Sequence, residues 1–105
     1  MLDEGIGMAI LLDTYEKLLT ETQASILRMR YDEDLSLGEI GEILNISRQA
    51  VRNTIIKGEE KLRFYEENFK IVSKENEINR IAEMLFKNPE TKKYAEMLKK
   101  VTEEM

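Results

Sequence analysis

The chain has 105 residues, 42% hydrophobic and 35% charged, enough for one modest domain or a small domain with an appendage. It contains neither cysteine nor histidine, which removes disulfides, thiolate nucleophiles, imidazole bases and nearly every zinc site. A formal charge of −5 repels phosphate and argues against indiscriminate nucleic-acid binding, while leaving room for a local site. One proline, five glycines and abundant Leu, Ile, Met, Glu and Lys predict an all-α fold. No apolar run approaches the roughly 20 residues that span a bilayer. Met1-Leu2-Asp3-Glu4 is acidic where a secretion signal is basic, so the expected location is cytoplasmic, with no membrane insertion.

The first predicted helix runs from about Ile6 to Leu19, with Met8, Leu11, Leu12, Tyr15, Leu18 and Leu19 forming one apolar stripe. Thr20-Glu21-Thr22-Gln23 fits a capping box and opens a second helix over Glu21 to Tyr31. Its buried face is expected to carry Ala24, Leu27 and Tyr31, with Ser25 and Arg28 outside. Asp32-Glu33-Asp34 then makes an acidic connection. Three adjacent carboxylates suggest a metal site, but the glycine and closing glutamate of a calcium loop are missing, so a solvated loop is expected and no metal or cofactor is assigned.

Ser36-Leu37-Gly38-Glu39 is a second capping box, opening a short helix with Leu37, Ile40, Ile43 and Leu44 turned inward. Asn45 falls where a left-handed turn residue is wanted, Ile46 is expected to return to the core, and Ser47 caps the next helix. Gly41 has no side chain to hold the two helices apart at their corner. From Ser47 to about Lys70, Val51, Ile55, Gly58, Leu62, Tyr65 and Phe69 alternate at four- and three-residue steps, predicting one long helix packed on the first. A dimer seam is an alternative use of its second half.

Another helix is predicted from Ser73, with Ile78, Ile81, Ala82, Leu85 and Phe86 on one side; Asn88-Pro89 interrupts it. Tyr94, Met97, Leu98 and Val101 belong to a last amphipathic stretch. The expected division is a helix-turn-helix domain over residues 1–72 with an extended recognition helix, and a C-terminal helical segment, 73–105, for dimerisation or partner binding.

Ser36 to about Lys57 therefore reads as a helix-turn-helix, in which a first helix braces a second whose outer face reaches the major groove of double-stranded DNA. The candidate DNA-binding residues are Ser47, Arg48, Gln49, Arg52, Asn53 and Lys57. Arginine can pair bidentately with guanine, glutamine and asparagine can pair with adenine, and Ser47 with the amides around it suits a phosphate. Between Ile46 and Arg63, five cations (Arg48, Arg52, Lys57, Lys61, Arg63) stand against Glu59 and Glu60, a local balance of +3 inside an acidic chain. Lys61 and Arg63, further along, suit the backbone of the nucleic acid. Solvated charges on a helix face are common, so the weight rests on their coincidence with the capping boxes, the Asn45 turn and the apolar spacing. No acid–base pair in an apolar setting, glycine-rich phosphate loop or serine elbow is present, so no catalytic residue is assigned and an enzyme is not expected.

Asp34-Leu35-Ser36-Leu37-Gly38-Glu39-Ile40-Gly41-Glu42-Ile43-Leu44-Asn45-Ile46-Ser47-Arg48-Gln49-Ala50-Val51-Arg52 resembles the YlxM family of small bacterial helix-turn-helix proteins. Leu11-Leu12-Asp13-Thr14-Tyr15-Glu16-Lys17-Leu18-Leu19-Thr20 is similar to the family's opening, and Gly58-Glu59-Glu60-Lys61-Leu62 with Tyr65-Glu66 to its long-helix continuation. The segment also resembles region 4 of bacterial sigma factors, and that likeness makes Arg48, Gln49 and Arg52 the DNA-facing positions. The resemblance implies a DNA-binding transcriptional regulator without cofactor, linked to the signal recognition particle pathway. A homodimer is expected, since pairing duplicates a short recognition surface and covers apolar stripes. The alternative is a non-catalytic interaction module that binds signal recognition particle RNA or protein, or a sigma-like fragment that contacts RNA polymerase.

Overall fold

The computed structural model describes residues 4–104; the acidic start at Met1 to Asp3 lies outside them. Among the described residues there are six α-helices, one 3₁₀ turn and no strand: α1 (Glu4–Tyr15), the 3₁₀ turn (Glu16–Leu18), α2 (Glu21–Tyr31), α3 (Leu37–Leu44), α4 (Arg48–Phe69), α5 (Ile71–Phe86) and α6 (Lys92–Glu103). They divide into two units, one ending at Phe69 and the other beginning at Lys70. No described helix is long and apolar enough to cross a membrane.

In the first unit α4 is the axis against which α1, α2 and α3 pack. Met8, Leu12, Tyr15, Leu19, Ile26, Leu27, Ile40, Val51, Ile55 and Leu62 form its core. The apolar run of α4 is buried at Val51, Ile55, Gly58 and Leu62. A Cβ on Gly58 would stand 2.7 Å from Leu27 Cδ1, so this glycine lets α2 close onto α4. Tyr15 is buried with its ring 5.9 Å from Tyr65 and 6.3 Å from Phe69, and its hydroxyl donates to Glu66.

The expected helix ends are present with their hydrogen bonds. Gln23 N donates to Thr20 Oγ1 and Thr20 N to Gln23 Oε1; Ser36 and Glu39 repeat the exchange at α3. The Ser36 amide and hydroxyl hold the Glu39 carboxyl below its ordinary value. Asn45 is left-handed at φ 57°. A Cβ on Gly41 would stand 2.7 Å from the Ile46 carbonyl oxygen, so the corner closes only over a glycine.

Three positions expected inward and one expected outward need correction. The chain tightens at Glu16 and Leu19 is already extended, so Leu19 takes the buried place and Leu18 is 51% exposed, its carbonyl accepting from the Tyr65 hydroxyl. The inward stripe of α3 is Ile40 and Gly41, both buried, with Leu37 and Leu44 half-buried beside them, and Gly41 stands where an apolar count would place Ile43; Ile43 is 60% exposed. Ile46 meets the core through its backbone, its amide donating to the Gly41 carbonyl, and its side chain stays 40% exposed. Arg28, placed outside by periodicity, is half-buried and bonded to Asp13, Glu16 and Asp32. Conversely Ile26 is fully buried without having been expected there, because α2 meets α1, α3 and α4 and so has a wider buried face than one stripe. The Asp32–Asp34 connection is exposed, and Asp34 adopts φ 56°.

Lys70 is left-handed at φ 56° between α4 and α5, and α5 starts two residues earlier than its predicted Ser73. In the second unit α5 and α6 form an antiparallel hairpin, since Glu83 meets Lys99 and Asn79 meets Thr102. Asn88 Oδ1 accepts from Glu90 N around Pro89, and Thr91 Oγ1 donates to the Leu85 carbonyl, which turns the chain. Ala82, Ala95 and Thr102 are buried. Ile81, Met84, Phe86, Tyr94, Met97 and Val101 are exposed, so both predicted apolar stripes of this unit lie partly open.

Candidate nucleic-acid interface

The helix-turn-helix is built from α3, the turn Asn45-Ile46-Ser47 and the first half of α4. Ser47 Oγ accepts from Ala50 N at 3.0 Å, and the Ser47 carbonyl accepts from Val51 N, so a proper N-cap starts the second helix. The rotation of about 100° per residue implied by 3.6 residues per turn then sorts the side chains. With Val51, Ile55 and Gly58 inward, Gln49 and Asn53 point away from the core, and Ile56 lies at the edge of the same outer strip. Arg52 flanks that outer strip on one side and Lys57 on the other, while Arg48, seven residues before Ile55, lies nearer the core side and is exposed at the start of the helix.

Arg48, Gln49, Arg52, Asn53 and Lys57 are all exposed, as is Ser47. Gln49 Nε2 donates to Asn53 Oδ1 at 2.9 Å, which ties the two outward amides into one unit and leaves the Gln49 carbonyl and the Asn53 amino group for other partners. Among the described residues, the side chains of Arg48, Arg52 and Lys57 have no ion-pair or hydrogen-bond partner. Arg28, by contrast, is occupied by three carboxylates and Lys61 Nζ donates to Gln23 Oε1 at 3.1 Å. Lys61 is therefore part of the packing between α2 and α4, not of the open strip.

Two residues of this surface escape a reading by residue type. Ile56, 37% exposed, extends the outer strip one turn beyond Asn53. An isoleucine looks like core in a sequence, and only its phase against Val51, Ile55 and Gly58 marks it as outward. Gly38, in the first turn of α3, lies under Arg48: a Cβ there would stand 2.9 Å from both Nε and Nη2 of the guanidinium. No spacing rule pairs positions 38 and 48. Chemically the surface offers cations, an amide pair and an apolar tip, which suit phosphates, base edges and a thymine methyl respectively. It offers no acid–base pair, and among the described residues no group of three or more His, Cys, Asp or Glu is placed to hold a metal.

A family model described as "Putative helix-turn-helix protein, YlxM / p13 like" matches residues 2–102. The chain belongs to this family, UPF0122. Among its relatives, the UPF0122 protein of Caldanaerobacter subterraneus subsp. tengcongensis is 46% identical over 78 residues, covering 74% of this chain and 67% of the relative. That of Thermoanaerobacter sp. (strain X514) is 45% identical over 76 residues, 72% of this chain and 65% of the relative. The Halalkalibacterium halodurans protein is 40% identical over 85 residues, 81% of this chain and 78% of the relative. The chain thus spans about two thirds of the length of the first two relatives. The family match reaches almost to the end of α6, so the second unit is part of the family pattern and not a tail peculiar to this chain.

Proposed function

We propose that the protein is a non-enzymatic, cytoplasmic DNA-binding transcriptional regulator that lays the first half of α4 in the major groove of double-stranded DNA. The observation that carries this reading is the open strip of Gln49 and Asn53 between Arg52 and Lys57, with Arg48 exposed at the helix start, and the three charges have no partner among the described residues. An acidic chain with carboxylates to spare leaves these cations exposed and unneutralised, on the helix that the fold presents for docking. Gln49, Arg52 and Asn53 supply base contacts, and Ser47, Arg48 and Lys57 supply phosphate contacts.

The regulator acts as a homodimer through residues 70–105. Two helices that bury chiefly Ala82, Ala95 and Thr102 lack a core of their own, and without cysteine the usual covalent remedy for so small a unit is closed. Tyr94, Met97 and Val101 share a face of α6, and Ile81 and Met84 add to the open surface of α5, which suits a four-helix pairing of two copies. A second reading, an interaction module for signal recognition particle components, is favoured by the exposed Phe64, Phe69 and Leu18 around Tyr65.

Selection of genomic DNA fragments by the purified protein, repeated across a salt series, separates the two. Recovery of a recurrent motif at physiological salt that disappears with Arg48→Ala/Arg52→Ala is the expected result. Motif-free, salt-sensitive binding, or none, transfers the assignment to the secretion-pathway module. Capture from lysate with and without nuclease then separates its RNA and protein partners.

A further inference from the structure

Arg48 is the first residue of the recognition helix, the place where an arginine would ordinarily be assigned to a base edge. Its side chain does not extend along the outer strip of α4. The guanidinium folds back over the first turn of α3, close enough that a methyl group on Gly38 would meet Nε and Nη2 at 2.9 Å and Cζ at 3.1 Å. No acidic group claims it there. Glu39 in the same turn accepts from the Ser36 amide at 3.0 Å, and Arg48 has no ion pair or hydrogen bond with any described residue. The guanidinium is thus held by packing on a bare glycine, with its donors open to solvent.

The direction of that fold matters because the two helices of the motif meet different parts of a duplex. The second helix enters the groove and the first crosses the sugar–phosphate backbone. An arginine on the second helix that leans onto the first is carried from the bases toward the backbone. We propose that Gly38 is a positioning residue that holds Arg48 as a clamp for a DNA phosphate, leaving sequence reading to Gln49, Arg52 and Asn53. This inference rests on the DNA-binding assignment above and gives the two arginines, one turn apart on α4, different tasks.

The arrangement supplies its own test, because the obvious variant should fold. The atoms that a Cβ at Gly38 would meet are the far end of a flexible side chain, and alanine favours a helix more than glycine does. Full-length wild type, Gly38→Ala, Arg48→Ala, the double variant and Arg52→Ala are titrated against a duplex carrying the selected site and an unrelated duplex of equal length, over a salt series. In the absence of DNA, the Nε–Hε NMR signal of Arg48 is followed in wild type and Gly38→Ala.

Gly38→Ala should melt no lower than wild type, shift the Arg48 signal and weaken both duplexes alike, by roughly tenfold. Its salt slope should fall by about one, the signature of one lost phosphate contact. In the Arg48→Ala background the Gly38 substitution should have no further effect, whereas Arg52→Ala should weaken the selected duplex alone. Unchanged affinity in Gly38→Ala, an unmoved Arg48 signal, or Arg48→Ala losing discrimination with its salt slope intact would each overturn the proposal. If wild type binds neither duplex while the Arg48 signal still moves, the DNA-binding assignment is what has failed, and the clamp falls with it.

Discussion

Arg52 is exposed with no partner among the described residues, whereas Arg28, two helices earlier, is held by Asp13, Glu16 and Asp32 at 2.7 to 3.0 Å. On the proposed docking the first reads a base, and replacing it with alanine should cost about 1–3 kcal/mol of discrimination between right and wrong sites, measured by competition titration. The second ties α1 and the following turn to α2. Hydrogen bonding to Arg28 holds the Glu16 carboxyl below its ordinary 4.5 and raises the guanidinium above its own ordinary value. A lowered carboxylate pKa contributes stability that is present above the unfolded value and lost as pH falls through the folded one. Acid should therefore remove this contribution below about pH 4.5. Since the carboxylates are largely exposed, Arg28→Ala should cost only about 1 kcal/mol near neutral pH. Urea titrations at pH 7 and pH 3 should show the gap between wild type and variant shrinking in acid; a gap that widens there would rule the account out.

Helix ends and corners are where single backbone positions set an element's course. Asn45 ends α3 in the left-handed region at φ 57° and ψ 47°, which a side chain with a branched or bare Cβ enters at a cost of about 1–2 kcal/mol. Asn45→Ala should lower stability by roughly that amount, and Asn45→Gly should leave it nearly unchanged, as read from urea midpoints. Gly41→Ala has no such escape. Its Cβ meets the carbonyl oxygen of Ile46, a backbone atom that cannot swing aside, and forces the α3–α4 corner open. A loss of about 1–3 kcal/mol is expected, with binding impaired in proportion to the displaced helix. Gly38→Ala, three residues away and opposed only by a side-chain tip, serves as the control for stability.

At the scale of the molecule, the two units divide the apolar surface unequally. The first buries Tyr15, Leu12, Ile26, Leu27, Ile40, Leu62 and Val51 almost completely, while the second exposes Met84 and Met97 at 62% each. Pairing of two hairpins would cover this surface and join two recognition helices in one assembly, which suits a site of two half-sites. Met84→Lys/Met97→Lys in the full chain should sediment as a monomer, keep the helical signal of the first unit and bind a two-half-site duplex more weakly than wild type. Sedimentation of the double variant indistinguishable from wild type would remove the hairpin from the interface.

The sequence by itself determined the elements that depend on local rules: the two capping boxes, the Asn45 turn, the Ser47 cap and the long apolar run of α4. Each is decided within a few residues by hydrogen-bond geometry or helical period. It also marked Gln49, Arg52, Asn53 and Lys57 as polar and outward, because they fall out of phase with Val51 and Ile55, and Ser47 and Arg48 as exposed at the start of the helix. What only the tertiary structure decided are positions set by a second element. Ile43 and Ile46 stay partly exposed because Gly41 brings the Ile46 backbone, not an isoleucine side chain, into the corner. Ile26 is buried because three helices surround α2, and Arg28 is drawn in because carboxylates from α1, the turn after it and the end of α2 converge on it. Arg48 over Gly38 belongs with these. Periodicity places a side chain relative to its own helix axis, whereas the neighbour it meets is fixed by how that helix packs against another.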